Sequence, residues 1–145
     1  MRILADTNVL LWWLEDHPRL APYRGRLCDS GNEAWFSAVS IAEIAIKASL
    51  KKLTIPPTYT DRLLETGWQE LAFSSTHAAA LLDLPWHHRD PFDRMLIAQA
   101  LTQGFPVMTA DRVFSQYDIQ VLQEVDQPCL TPQPTFQTVI TSTRT

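Results

Sequence analysis

Arg2-Ile3-Leu4-Ala5-Asp6-Thr7-Asn8 opens the chain with a short apolar run that stops at an acid and two polar residues. Such a run, bounded by a turn signal, reads as a buried first strand. Directly behind it, Val9, Leu10, Trp12, Trp13 and Leu14 predict a helix with mostly apolar faces. The helix closes at Glu15-Asp16-His17-Pro18, because the residue before a proline is pushed out of the helical region. A strand feeding such a helix is the first half of a β/α unit, and the apolar helix needs cover.

The same alternation continues outward from this unit. Ala34-Trp35-Phe36-Ser37 reads as a second strand after the turn Asp29-Ser30-Gly31-Asn32. A helix from Ile41 to about Ser49 carries Ile41, Ile44, Ala45 and Ala48 at helical spacing, and Lys51-Lys52 complement its C-terminal dipole. Pro56-Pro57 punctuates, Tyr59 to Thr66 predicts a short amphipathic helix, and Glu70 to Phe73 a third strand. Ser74 or Ser75 is placed to cap the next helix, through Leu82. After a loop from Pro85 to Pro91, the segment from Phe92 to about Thr102 has an apolar stripe of Phe92, Leu96, Ile97, Ala100 and Leu101, with Gly104 just past its end. Pro106 to Thr109 and Ile119 to Leu122 complete five strands. Strands alternating with helices predict an α/β fold, a parallel sheet covered on both faces.

The 145 residues suit one domain, expected over residues 1–126, and the 46% hydrophobic fraction supplies a real core. Residues 127–145 are rich in proline and threonine and read as a loosely ordered tail, with a partner-binding or exchanged strand as the alternative. A net charge of −4 gives no global pull toward nucleic acid, so any such binding has to be local, drawn from twelve Lys or Arg. Cys28 and Cys129 match no zinc or redox spacing and are expected to be reduced thiols. The amino terminus reaches a charge before a signal-peptide core could form, and no run approaches membrane-spanning length; a cytoplasmic protein without membrane contact is expected.

Four acids stand at the junctions of this pattern: Asp6, Glu43, Asp93 and Asp111. Each has a structural reading. Ser40 to Glu43 fits a capping box, Asp6 and Asp111 fit helix caps or turns, and Asp93 fits the first turn of its helix. Their coincidence argues for function, because strand ends and helix starts gather at the carboxyl edge of an α/β sheet, where ligands bind. Carboxylates brought that close repel one another unless a cation neutralises them. An all-oxygen set suits Mg²⁺ or Mn²⁺. His87 and His88 are adjacent on a tight loop, where neighbours rarely aim at one ion, and are not expected to be metal ligands; His17 and His77 read as surface or packing residues. Such a cage fits hydrolysis of a phosphodiester.

Taken together, Asp6-Thr7-Asn8, Ser40-Ile41-Ala42-Glu43, Asp90-Pro91-Phe92-Asp93-Arg94 and Thr109-Ala110-Asp111-Arg112 resemble, in order and spacing, the motifs of the PIN domain, and within it the VapC-like ribonuclease toxins. The match covers roughly residues 1 to 125, and no acid is missing. The resemblance implies a PIN-like three-layer fold with strand order 3-2-1-4-5 and Mg²⁺- or Mn²⁺-dependent endonucleolytic cleavage of RNA. It further implies a homodimer and a small cognate antitoxin encoded beside the toxin. Carried over by position, Asp6, Glu43, Asp93 and Asp111 are the catalytic metal ligands, and Thr7, Asn8 and Thr109 support them by hydrogen bonds. Asp90 is expected to cap its helix and assist from there.

Arg89, Arg94 and Arg112 flank the acids and have two readings, phosphate contacts or ion pairs with neighbouring carboxylates. Trp86, His87 and His88 could stack unpaired bases, with packing the expected role for Trp86. Two alternatives share the fold: a PIN nuclease of RNA maturation or DNA processing, and a non-catalytic RNA-binding or interaction PIN domain. A receiver-like phosphoacceptor domain needs an acidic pair after the first strand and a lysine near the last, and neither is present.

Overall fold

The computed structural model describes residues 1–123. Five strands, β1 (Arg2–Ala5), β2 (Glu33–Ser37), β3 (Gln69–Leu71), β4 (Val107–Met108) and β5 (Val121–Leu122), form one parallel sheet in the order β3-β2-β1-β4-β5. The first strand is therefore its centre. Six α-helices connect them: α1 (Thr7–Glu15), α2 (Ala21–Cys28), α3 (Ala38–Ser49), α4 (Tyr59–Glu65), α5 (Ser75–Ala79) and α6 (Pro91–Gln103), with short 3₁₀ turns at Pro18–Leu20, Ala80–Asp83 and Arg112–Gln116.

Alternation along the strands sorts the core into two layers, since successive side chains leave opposite faces of a sheet. On one face Ile3, Ala5, Phe36, Met108 and Leu122 pack with Val9, Leu10, Trp12, Leu14 and Ile44. On the other Leu4, Leu71 and Val107 pack with Val39, Leu96, Ile97 and Ala100. The apolar helix α1 finds its cover inside the chain: Trp12 packs against Tyr23 of α2, with ring centroids 6.2 Å apart, and Trp13 meets Trp68 edge-on at 5.5 Å.

Helix starts differ from expectation at one place that bears on the site. Ser37, not Ser40, caps α3, accepting the Val39 N–H at 3.0 Å. The helix thus begins a turn earlier, because the serine ending β2 already has extended backbone and its hydroxyl oxygen can accept a helix amide. Ser40 and Glu43 are consequently inside the helix, and no capping box competes for the Glu43 carboxylate. Further on, Ser74 caps α5, and His77 is its buried capping-box partner; the helix tightens into a 3₁₀ turn over Ala80–Asp83.

Cys28 is disulfide-bonded, which corrects the expected reduced thiol. Cys129 and the proline- and threonine-rich stretch at 127–145 lie outside the described residues.

Candidate functional site

The pairing of β1 with β4 sets the geometry. Ala5 lies opposite Met108, and the Asp6 N–H donates to the Met108 carbonyl at 3.0 Å, so the residues leaving both strands emerge side by side. Asp6 caps α1: Oδ1 accepts the Val9 N–H at 2.8 Å, and Oδ2 accepts the Thr109 hydroxyl. The Thr109 Oγ1 also accepts the Asp111 N–H at 3.0 Å. One fully buried threonine thereby fixes the spacing of two acids.

Asp111 caps the 3₁₀ turn that follows β4 through the Val113 N–H at 2.9 Å, and its Oδ2 lies 2.9 Å from His88 Nε2. Asp90 caps α6, accepting the Phe92 N–H at 2.8 Å and the Asp93 N–H at 3.4 Å. That leaves the Asp93 carboxylate free to face the others. Potential ligand atoms of His88, Asp93 and Asp111 all lie within 4.8 Å of one another. Glu43, 6% exposed, projects from α3, where its Oε2 accepts a hydrogen bond from Lys47 Nζ at 2.7 Å.

Crowding of these acids is visible in their proton affinities. Burial pushes Asp6 up to about 6; the Thr109 and Val9 hydrogen bonds oppose it, and the charges of Asp111 and Glu43 reinforce it. Burial pushes Asp93 up to about 7, aided by the charges of Asp90, Glu43 and Asp6 and opposed by His88. Mutually repelling, desolvated carboxylates with one imidazole fit a divalent cation, whose charge would compensate both burial and repulsion.

A cleft of about 640 Å³ opens beside the acids, lined by Asn8, Trp12, Arg19, Lys47, Lys52 and Asp111 among others. A second cavity of about 380 Å³ shares Arg19 with it and adds Tyr23, Thr109 and Arg112. The two are bordered by four cations, which is the local basic surface that the net charge concealed. Three of these, Arg19, Lys47 and Lys52, were not among the expected site residues, Lys52 having been read only as complementing the helix dipole. For Lys47 a signal existed, since it stands four residues after Glu43 and so on the same helical face.

The other expected site residues divide. Thr109 holds Asp6 as expected, whereas Thr7, also buried, donates to Ser40 Oγ at 3.0 Å and so ties α1 to α3. Asn8 is exposed at the cleft. Arg89 and Arg112 are exposed. Arg94 is not available to substrate: it is 5% exposed and donates to the carbonyls of Leu84 at 3.1 Å, Pro85 at 2.9 Å and His88 at 3.4 Å. The guanidinium also lies 3.6 Å from the ring centre of Trp86, which is itself 78% exposed rather than packed inside. His88 is no stacking platform either. Its ring lies against Tyr117 at 5.5 Å and edge-on to Phe114 at 5.0 Å, with Nδ1 3.1 Å from the Tyr117 hydroxyl.

Comparison with known proteins agrees with this geometry. The PIN domain family model matches residues 3–120. Ribonuclease VapC22 of Mycobacterium tuberculosis is 27% identical over 113 residues, covering 76% of this chain and 87% of the relative. Among solved structures, VapBC2 from Rickettsia felis bound to a promoter DNA fragment superposes with a TM-score of 0.65 at 13% identity, over 86% of this chain and 99% of the matched one. DNA-bound VapBC from Salmonella typhimurium gives 0.62 at 18% identity, over 85% and 98% respectively. Both show the same fold.

Proposed function

The chain belongs to the PIN domain family, and from that premise we propose that it is an endoribonuclease of the VapC type, the toxin of a toxin–antitoxin pair, hydrolysing RNA phosphodiester bonds with Mg²⁺ or Mn²⁺. The observation that carries this reading is the convergence of Asp6, Asp93 and Asp111, with Glu43 close enough to raise the first two, beside a cleft bordered by cations. The similarity to Ribonuclease VapC22 supports the substrate class.

Asp6, Glu43, Asp93 and Asp111 are the catalytic residues and would hold the cation. When bound, a divalent ion supplies charge that polarises a phosphoryl oxygen and acidifies water. The protein does the remaining work. Thr109 orients Asp6 and, through the Asp111 amide, places the second acid. Lys47 balances Glu43 and, from the cleft wall, attracts the phosphate backbone together with Arg19, Lys52, Arg112 and Arg89. An intact set of acids favours catalysis over a silent RNA-binding role.

Cleavage of labelled single-stranded RNA tests the proposal. Mg²⁺ or Mn²⁺ is expected to support cutting, and EDTA or Asp6→Asn to abolish it; activity that persists in both would sink it. For the toxin role, a small protein encoded beside this one is expected to bind the chain and suppress cleavage, and light scattering is expected to show a homodimer.

A further inference from the structure

Among the described residues, His88 is the one nitrogen donor grouped with the carboxylates, and its surroundings are those of a held ligand. Stacking on Tyr117, edge contact with Phe114 and a hydrogen bond from its own backbone N–H to the Tyr117 hydroxyl at 2.9 Å fix the ring in position. The loop carrying it is fixed too, because Arg94 grips the His88 carbonyl along with those of Leu84 and Pro85. From this seat Nε2 points at the acids, 2.9 Å from Asp111 Oδ2.

That distance has two meanings. It is a hydrogen bond if Nε2 carries a proton. It is also the edge length between two neighbouring ligands of one ion, because atoms about 2.1 Å from a cation and at right angles lie about 3 Å apart. The Tyr117 hydroxyl accommodates both cases. It can donate to Nδ1, leaving the proton on Nε2 for Asp111, or accept from Nδ1–H, leaving the Nε2 lone pair for a cation. Histidine ligands commonly rest their second nitrogen on such a partner.

We propose that His88 is a metal ligand, forming with Asp93 and Asp111 a mixed nitrogen and oxygen donor set that selects Mn²⁺ over Mg²⁺. Oxygen donors serve both ions, whereas imidazole adds affinity for a first-row transition ion and little for magnesium. The inference rests on the metal-dependent reading above and narrows it to one ion.

Electron spin-echo spectroscopy of the full chain loaded with Mn²⁺ tests this directly. Nitrogen modulation from a bound imidazole is expected, it is expected to change on ¹⁵N-histidine labelling, and His87→Gln is expected to retain it. His88→Gln is expected to remove it and to weaken Mn²⁺ binding about tenfold by calorimetry while leaving Mg²⁺ binding within about threefold. Mn²⁺ bound without nitrogen modulation overturns the role of His88 and leaves the nuclease reading standing. Failure of the wild-type chain to bind Mn²⁺ at all overturns both. Should His88→Gln not fold, the labelled wild-type spectrum still decides.

Discussion

Asp6 is buried and raised to about 6, and Asp93 is raised to about 7, so without metal both hold protons that the unfolded chain releases near pH 3.9. The stability they contribute is complete below that unfolded value and disappears as pH rises through about 6 to 7. Thermal unfolding in EDTA is therefore expected to show a metal-free protein less stable at pH 8 than at pH 5, with Asp6→Asn reducing the difference. At pH 8 that variant is expected to be about 1–2 kcal/mol more stable than the parent in EDTA and inactive with metal. Divalent ions compete with the same protons, so their affinity, measured by calorimetry, is expected to climb between pH 6 and 7.5. Thr109→Val removes the donor that holds Asp6; about a tenfold loss of cleavage rate with little change in RNA affinity is expected.

Helix α6 shows what an element does that its residues do not. Successive positions turn by about 100°, so Asp93 and Arg94, adjacent in sequence, leave on different faces. One meets the acids, and the other clamps the loop from Leu84 to His88. The sequence reading gave Arg94 a phosphate contact or an ion pair with a neighbouring carboxylate, because a charged residue next to a motif gives no hint of which face it takes. Further along, Gln99 is fully buried and ties α6 to the ends of β2 and β3, accepting the Ser37 hydroxyl and donating to the Ala72 carbonyl. The apolar stripe and the Gly104 end of this helix were legible; its polar clamp was not, since hydrophobic periodicity is blind to satisfied polar groups. Arg94→Ala is expected to cost about 3 kcal/mol in urea unfolding, from carbonyls stripped of their donor. Lysine there is expected to rescue little, having a point charge in place of a planar fork.

At the scale of the molecule, alternation was enough to read a parallel sheet, and the strand order came from the family resemblance. The chain's charge was not enough to find its binding surface. A net −4 averages over cations that folding sorts onto one cleft, where Arg19 meets Lys47 and Lys52 from a distant part of the chain. Replacing Lys47 and Lys52 together by alanine is expected to weaken RNA binding by about 1–2 kcal/mol and to reduce its salt dependence, with the unfolding free energy changed by less than about 1 kcal/mol. Fluorescence titration at two salt concentrations checks both. Nor could sequence patterning predict that His88 would be pinned among the acids, since Tyr117, which seats it, lies 29 residues further on.

The bond between Asp6 and Thr109 spans 103 positions of chain, and the strand that bears Asp6 is completed on its second edge only by β4. Translation delivers residues in order at about 5–20 per second, and domains close as units once their parts are available. The acid at the start of the polypeptide thus waits several seconds for its companion. Until β4 has emerged, a growing chain therefore lacks the Thr109 and Asp111 that the proposed RNA-cleaving site requires. Ribosome-held chains ending at Gly104 are expected to leave nearby transcripts intact, and chains long enough to expose β5 are expected to cut them.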